Sequence, residues 1–210
     1  DTFWDKLRQV KPWIETDGEP PEREYKVPHS KMVELQQPMN CIMCGACVSD
    51  CTVLEVDENF LAPAALAKAY RVVGDPRHAP TKESLINLSQ EGGIWDCTRC
   101  LECVQVCPKD VAPMDQIIKL RELAIKEGLT GNVGAKHVIH FTKSVSHSGT
   151  IDERTLPIKA AGLGWAIKNT GTAIKAILKG KIKPPFPGTH PSVTEVKDIR
   201  RIHMELEEKS

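Results

Sequence analysis

The sequence predicts a mainly α-helical protein in which two cysteine loops are laid between helices and a helical extension follows. Three observations point there. Strand-like alternation is scarce along the 210 residues. Apolar residues recur at helical spacing between proline and glycine stops. All eight cysteines fall in two short runs of equal spacing, Cys41, Cys44, Cys47, Cys51 and Cys97, Cys100, Cys103, Cys107.

The elements follow in chain order. Thr2, with Asp5 three residues on, reads as the N-cap of a short helix that carries Phe3, Trp4, Leu7 and Val10 and ends before Pro12. "ETDGEPPEREYKVP" is a loop, and a second short helix is expected over Ser30–Gln37, stopped by Pro38. Between the cysteine runs, "PAALAKAYRVVG" has Pro63 at its first position and Gly74 as its stop. A further helix is expected over Thr81–Gln90, ending at Gly92-Gly93. "MDQIIKLRELAIKEG" follows Pro113 and closes at Gly128. Residues 129–157 read as a mixed, Gly- and Ser-bearing stretch.

Residues 158–183 carry six lysines and no acid, and read as one basic helix. Leu163, Ala166, Ile167, Thr170, Ile174, Ile177 and Leu178 share one face, with Lys168, Lys175 and Lys179 towards another. Such a face packs on a partner subunit or lies on an anionic membrane. A "PPFPGTHP" turn and a last helix with Ser192 and Glu195 as capping box complete the chain. The expected organisation is a helical linker segment at 1–39, a two-cluster domain at 40–128 and an extension at 129–210.

Lysine plus arginine balance aspartate plus glutamate at 28 each, which gives no reason to expect nucleic acid as a partner. No apolar run is long enough for a membrane span, and no secretory signal opens the sequence. The chain begins at Asp1 rather than Met, so a processed or partial chain is expected. Cysteines three apart bridge poorly, and disulfide frameworks belong mostly to small exported domains, so a reducing, cytoplasmic compartment is the better expectation.

The two cysteine runs repeat position for position: 41/97, 44/100, 47/103, 51/107. Thiolates are soft ligands that suit zinc or iron–sulfur clusters. Zinc is usually held tetrahedrally by two well-separated pairs. A C-x2-C-x2-C triplet instead curls round a cuboidal cluster, and the fourth cysteine of such a run ligates the other cluster. Two [4Fe–4S] clusters are therefore expected, cluster one on Cys41, Cys44, Cys47 and Cys107, and cluster two on Cys97, Cys100, Cys103 and Cys51. Pro108 fits the terminal proline of the pattern, whereas Thr52 stands at that place in the first run. Clusters closed by thiolates on all sides point to electron transfer, with no catalytic residue on this chain. The fold expected is an α-helical ferredoxin with two cluster-binding loops and a C-terminal helical extension.

Around the loops, Gly45 and Ala46 keep the first one slim, while Arg99 and Glu102 leave the charge of the second ambiguous. Trp95 reads either as a water shield for cluster two or as ordinary core. His137 and His140, one helical turn apart, lack further ligands at metal spacing and are assigned surface or packing roles. The other histidines receive no role.

The stretches "DTFWDKLRQVKPWI", "CIMCGACVSDC", "NFLAPAALAKAYRVVGDPR" and "WDCTRCLECVQVCPKDVAP" resemble the iron–sulfur subunit of succinate dehydrogenase/fumarate reductase, after its N-terminal domain. The likeness is close over residues 1–128 and loose beyond. It implies an electron-transfer subunit of a respiratory oxidoreductase, peripheral on the inner face of the cell membrane through its complex. That subunit relays electrons between a flavoprotein carrying FAD and a membrane-side, quinone-linked partner. A [2Fe–2S] cluster is implied on a preceding domain or another chain. Two departures matter. The common form of the family lacks a cysteine at the position of Cys100 and binds [3Fe–4S] there; this chain has it. That form also has a tryptophan near the quinone, where this chain reads "TVLEVDEN". Both features resemble the variant whose partner is a cysteine-rich, heterodisulfide reductase B-like protein. The eight-cysteine pattern and "LKGKIKPP" also resemble the heterodisulfide reductase C-like proteins, an alternative electron relay.

Overall fold

The computed structural model describes residues 2–182 and 193–208. The "PPFPGTHP" turn, His190 and Ser192 lie outside them. The described residues are helical, with no strand among them, and the chain forms two compact units, 1–129 and 130–210.

The first unit holds α1 (Thr2–Gln9), α2 (His29–Met39), α3 (Ala46–Ser49), α4 (Pro63–Val73), α5 (Thr81–Leu88), α6 (Glu102–Gln105) and α7 (Pro113–Lys126). Its centre is α4 against α7, with α1 and α2 on α4 and α5 on α7. Phe60, Leu66, Leu85, Ile94, Ile117 and Leu120 are almost fully enclosed there. Leu7 and Leu35 are buried too, so residues 1–39 belong to this unit.

Both central helices start alike. Pro63 and Pro113 occupy the first turn, where a missing N–H costs nothing. Each is preceded by an alanine with left-handed φ, Ala62 at 78° and Ala112 at 47°. Such backbone costs about 1–3 kcal/mol per residue and needs firm surroundings; Ala62 and Ala112 are both buried.

Three local expectations change. Thr2 is already helical, so it is not the cap of α1. Pro38 lies inside α2, which runs on to Met39; in the last turn the lost N–H bond shortens the helix without breaking it. The α5 helix ends at Leu88, because Gly93 turns back so tightly that a Cβ there would lie 2.0 Å from the Leu88 carbonyl oxygen.

The second unit holds α8 (Val133–Ser148), α9 (Leu156–Ala161), α10 (Leu163–Lys168), α11 (Thr170–Leu178) and α12 (Val196–Glu208). The mixed stretch is thus largely one 16-residue helix. The Asn132 side chain accepts the Ala135 N–H at 2.7 Å, and Gly149 closes α8 with φ 76°. The expected single basic helix is instead three short ones. Gly162 adopts φ 87° and ψ 171°, which no helix accommodates, and Asn169 makes the second break. Leu163, Ile167 and Leu178 are 69–81% exposed. At α12 the Glu195 carbonyl accepts the first helical N–H groups, so Glu195 sits at the cap rather than three residues inside. No helix among the described residues is long and apolar enough to cross a membrane.

Candidate metal centre

The sequence repeat is also a backbone repeat. Met43 and Gly45 take left-handed φ of 60° and 79°; Arg99 and Leu101, at the matching places of the second run, take 60° and 73°. These paired reversals curl each C-x2-C-x2-C triplet, after which α3 and α6 lead away and pack on each other. Glycine adopts such φ freely at 45; Leu101 does so at a cost of about 1–3 kcal/mol.

Cys41, Cys44, Cys47 and Cys107 line one cradle, floored by Gly45, Ala64 and Ala67. This accounts for the alanines of "PAALAKA": a larger side chain at 64 or 67 would fill the space the thiols face. Burial pushes the Cys47 thiol up to about 12, and the charges of Cys103, Cys41, Cys107 and Cys44 add to the rise. In the second set burial pushes Cys103 up to about 12. The charge of Cys97 adds, the Met114 backbone N–H opposes, and Cys100 and Cys51 add further. Cys97 is raised by burial, against a backbone N–H from Arg99 and the charge of Arg121. The fourth cysteine of each run thus stands with the triplet of the other. Cys103 heads the thiols acting on Cys47, so the two sets adjoin.

All eight cysteines are unpaired thiols. Among the described residues no three His, Cys, Asp or Glu side chains converge as a single metal ion requires. The cysteines ring a space rather than meet at a point. Buried thiols that raise one another's pKa hold thiolate charge only beside a cationic centre. The donor set therefore fits a multi-iron body with soft ligands at its corners.

Several supporting groups left little mark in the sequence. The Gln116 amide, fully buried on α7, donates to Gln37 Oε1 at 3.1 Å and to the Val111 carbonyl at 2.9 Å. Gln37 in turn donates to the Asp110 carbonyl at 3.1 Å. This clasp ties the loop after Cys107 to the helix before Cys41. The Val111 N–H points at Cys107 Sγ, 3.4 Å away. Thr52 Oγ1 donates to Cys100 Sγ at 3.5 Å, the first cause of that thiol's lowered pKa.

Arg121 is 5% exposed on the buried face of α7, beside Ile117, Leu120 and Ala124. Its Nε donates to the Ile94 carbonyl at 2.7 Å and its Nη2 to the Cys97 carbonyl at 2.8 Å. Burial lowers it to about 10, so it stays a cation at neutral pH. Its guanidinium lies 5.5 Å from the centre of the Trp95 ring. Trp95 packs partly buried against the core, and its Nε1–H is enclosed without a protein partner. An arginine among Ile117, Leu120 and Ala124, and a threonine in place of the pattern's proline, were the signals available.

His137 is exposed beside Phe141, and the half-buried His140 is lowered by burial, then by Lys159 and Lys143. His78 is buried: Nδ1 accepts the Glu15 N–H at 3.2 Å and Nε2 pairs with Ser84 Oγ at 2.9 Å, stitching the early loop to α5. In "DPR", Asp75 accepts the Arg77 backbone N–H and two guanidinium bonds, which lowers its pKa.

Residues 38–111 match the family described as a 4Fe-4S dicluster domain. The iron–sulfur subunit of 8-methylmenaquinol:fumarate reductase from Wolinella succinogenes is 30% identical over 185 residues, 86% of this chain and 57% of that protein. The chain is thus similar over most of its length to an iron–sulfur subunit of the succinate dehydrogenase/fumarate reductase type. The fumarate reductase iron–sulfur subunit of Mycobacterium tuberculosis is 35% identical over 60% of the chain and 52% of its own length. The succinate dehydrogenase iron–sulfur subunit of Coxiella burnetii is 29% identical over 61% and 55%. The chain spans little more than half the length of these iron–sulfur subunits.

Proposed function

We propose that this chain is the two-cluster part of the electron-transfer subunit of a succinate dehydrogenase/fumarate reductase complex. The observation that carries the reading is the pair of crossed thiol sets, each with three local cysteines and one from the other run. Cys41, Cys44, Cys47 and Cys107 would hold one [4Fe–4S] cluster, and Cys97, Cys100, Cys103 and Cys51 the other. Bound clusters supply one-electron storage. The chain's own residues fix the two sites side by side and back them with the α4–α7 core, which excludes water.

Each run leaves its second cysteine, Cys44 or Cys100, exposed. These exposed sulfurs are the points where electrons pass to and from partners. A flavoprotein with FAD, and a [2Fe–2S] domain on a preceding segment or another chain, would face the first set. A membrane-side, quinone-linked partner, cysteine-rich in the variant with Cys100, would face the second. The apolar, lysine-flanked residues of α10 and α11 are the docking face for that membrane-side partner, which keeps the chain peripheral on the inner face of the cell membrane. Substrate carbon chemistry lies on the flavoprotein.

Iron and acid-labile sulfide analysis of the anaerobically purified complex, joined to native mass spectrometry, tests this. About eight irons with matching sulfide per chain are expected, together with a flavoprotein. Two zincs without sulfide would reject the clusters. A complex that lacks a flavoprotein but acts on a thiol–disulfide partner would favour the relay of the heterodisulfide reductase type.

A further inference from the structure

The two loops share their left-handed positions, and the side chains around them differ. We propose that Thr52 and Arg121 act as positioning residues that hold the cluster of the second cysteine run at a higher reduction potential than that of the first. This rests on the two-cluster reading above.

The Val111 N–H points at Cys107 Sγ of the first set at 3.4 Å, so this backbone donor does not account for a higher potential of the second. Side chains separate the sets. The residue after each crossing cysteine is Thr52 in one run and Pro108 in the other. Thr52 donates to Cys100 Sγ at 3.5 Å; proline has no side-chain donor. After the first cysteine of each run, the second carries the hydroxyl of Thr98 and the first the apolar Ile42.

Charge points the same way. The Arg121 guanidinium is buried and bonded to the Cys97 carbonyl. Arg71, at the matching depth of α4, is exposed, as is Lys109 beside the first cradle. Water and salt screen exposed charges, whereas a buried one acts at nearly full strength. Glu102 near Cys100 opposes the effect, but it is only half-buried.

Reduction adds one electron and one negative charge to a cluster and its thiolates, and no bond forms or breaks. A hydrogen bond to sulfur and a buried cation both favour the form with the added charge, which raises the potential. An electron shared between the two clusters should therefore rest on the second by roughly tenfold or more, a factor equal to about 59 mV for one electron.

The experiment is a redox titration of the cluster-loaded complex followed by electron paramagnetic resonance. Metal analysis comes first: fewer than about eight irons overturns the two-cluster reading and this inference with it, whereas about eight irons with the wrong order of potentials overturns this inference alone. Cys100→Ser should give a [3Fe–4S] signal and so identify which resonance belongs to the second run. That resonance should titrate at the higher potential. Thr52→Val and Arg121→Gln should each cut its share of the electron severalfold and leave the other cluster unmoved, with Arg121→Lys restoring part of the loss. If Arg121→Gln does not fold, Thr52→Val, at an exposed position, decides alone. A reversed order, an unmoved second cluster in Thr52→Val, or equal shifts in both clusters overturns the proposal.

Discussion

The first cysteine loop, Cys41 to Cys51, and the second, Cys97 to Cys107, show how much of a site a backbone fixes. Left-handed residues fall at the same two places in both, and a four-residue helix follows each. Yet the first loop presents Ile42 and Met43 where the second presents Thr98 and Arg99. The first is floored by alanines of α4, and the second is braced by a buried arginine of α7. Duplication sets where the thiols stand. The residues between and behind them decide what each half can do.

That contrast can be broken on the first side most sharply at Ala67, which is 1% exposed and lines the first cradle. Ala67→Leu should occupy the cradle and remove the first cluster alone, lowering iron from about eight to about four per chain. Iron and sulfide analysis reads this directly, and loss of both clusters would show that the halves are not separable. A smaller effect is expected at the clasp. Gln116→Leu removes the donor to Gln37 and Val111 and leaves their buried oxygens unpaired, a cost of about 1–3 kcal/mol in chemical unfolding. Because the clasp holds the loop after Cys107, oxygen sensitivity should rise first in the cluster of the first run. The smallest effect lies outside both loops. Burial lowers the pKa of His78, so the unfolded chain takes up a proton before the folded one. The resulting stability is present above about pH 6.5 and is lost as pH falls below it. His78→Gln should flatten that part of a melting-temperature–pH profile while leaving the reduction potentials of both halves in place.

The halves also differ from the rest in how openly the sequence declared them. Proline at the first turn and glycine at the stop marked α4 and α7 because those residues act locally. Cysteine spacing was equally plain, since few structures need thiols so close. The Gln37–Gln116 clasp joins residues 79 apart through amides that carry no periodicity, so nothing in either neighbourhood announces it. The α8 helix was hidden by its small residues, although Asn132 and Gly149 bracket it as caps. Residues 158–183 showed a helical stripe that Asn169 interrupts, because helical spacing survives a break that backbone conformation does not. Thr52 was visible as a departure from the pattern, but its bond to Cys100 depends on the crossing of the chain and became clear only in three dimensions.

The exchange of Cys51 and Cys107 between the halves bears on biogenesis. On the proposed pairing, neither cage can close from the first half alone: the triplet made first waits for a sulfur that is encoded only at Cys107, beyond the whole of the second triplet. Iron delivery would then be a late event, coming only once the ribosome has reached the second half, and a nascent chain stalled between the halves would offer four thiols and no finished cage.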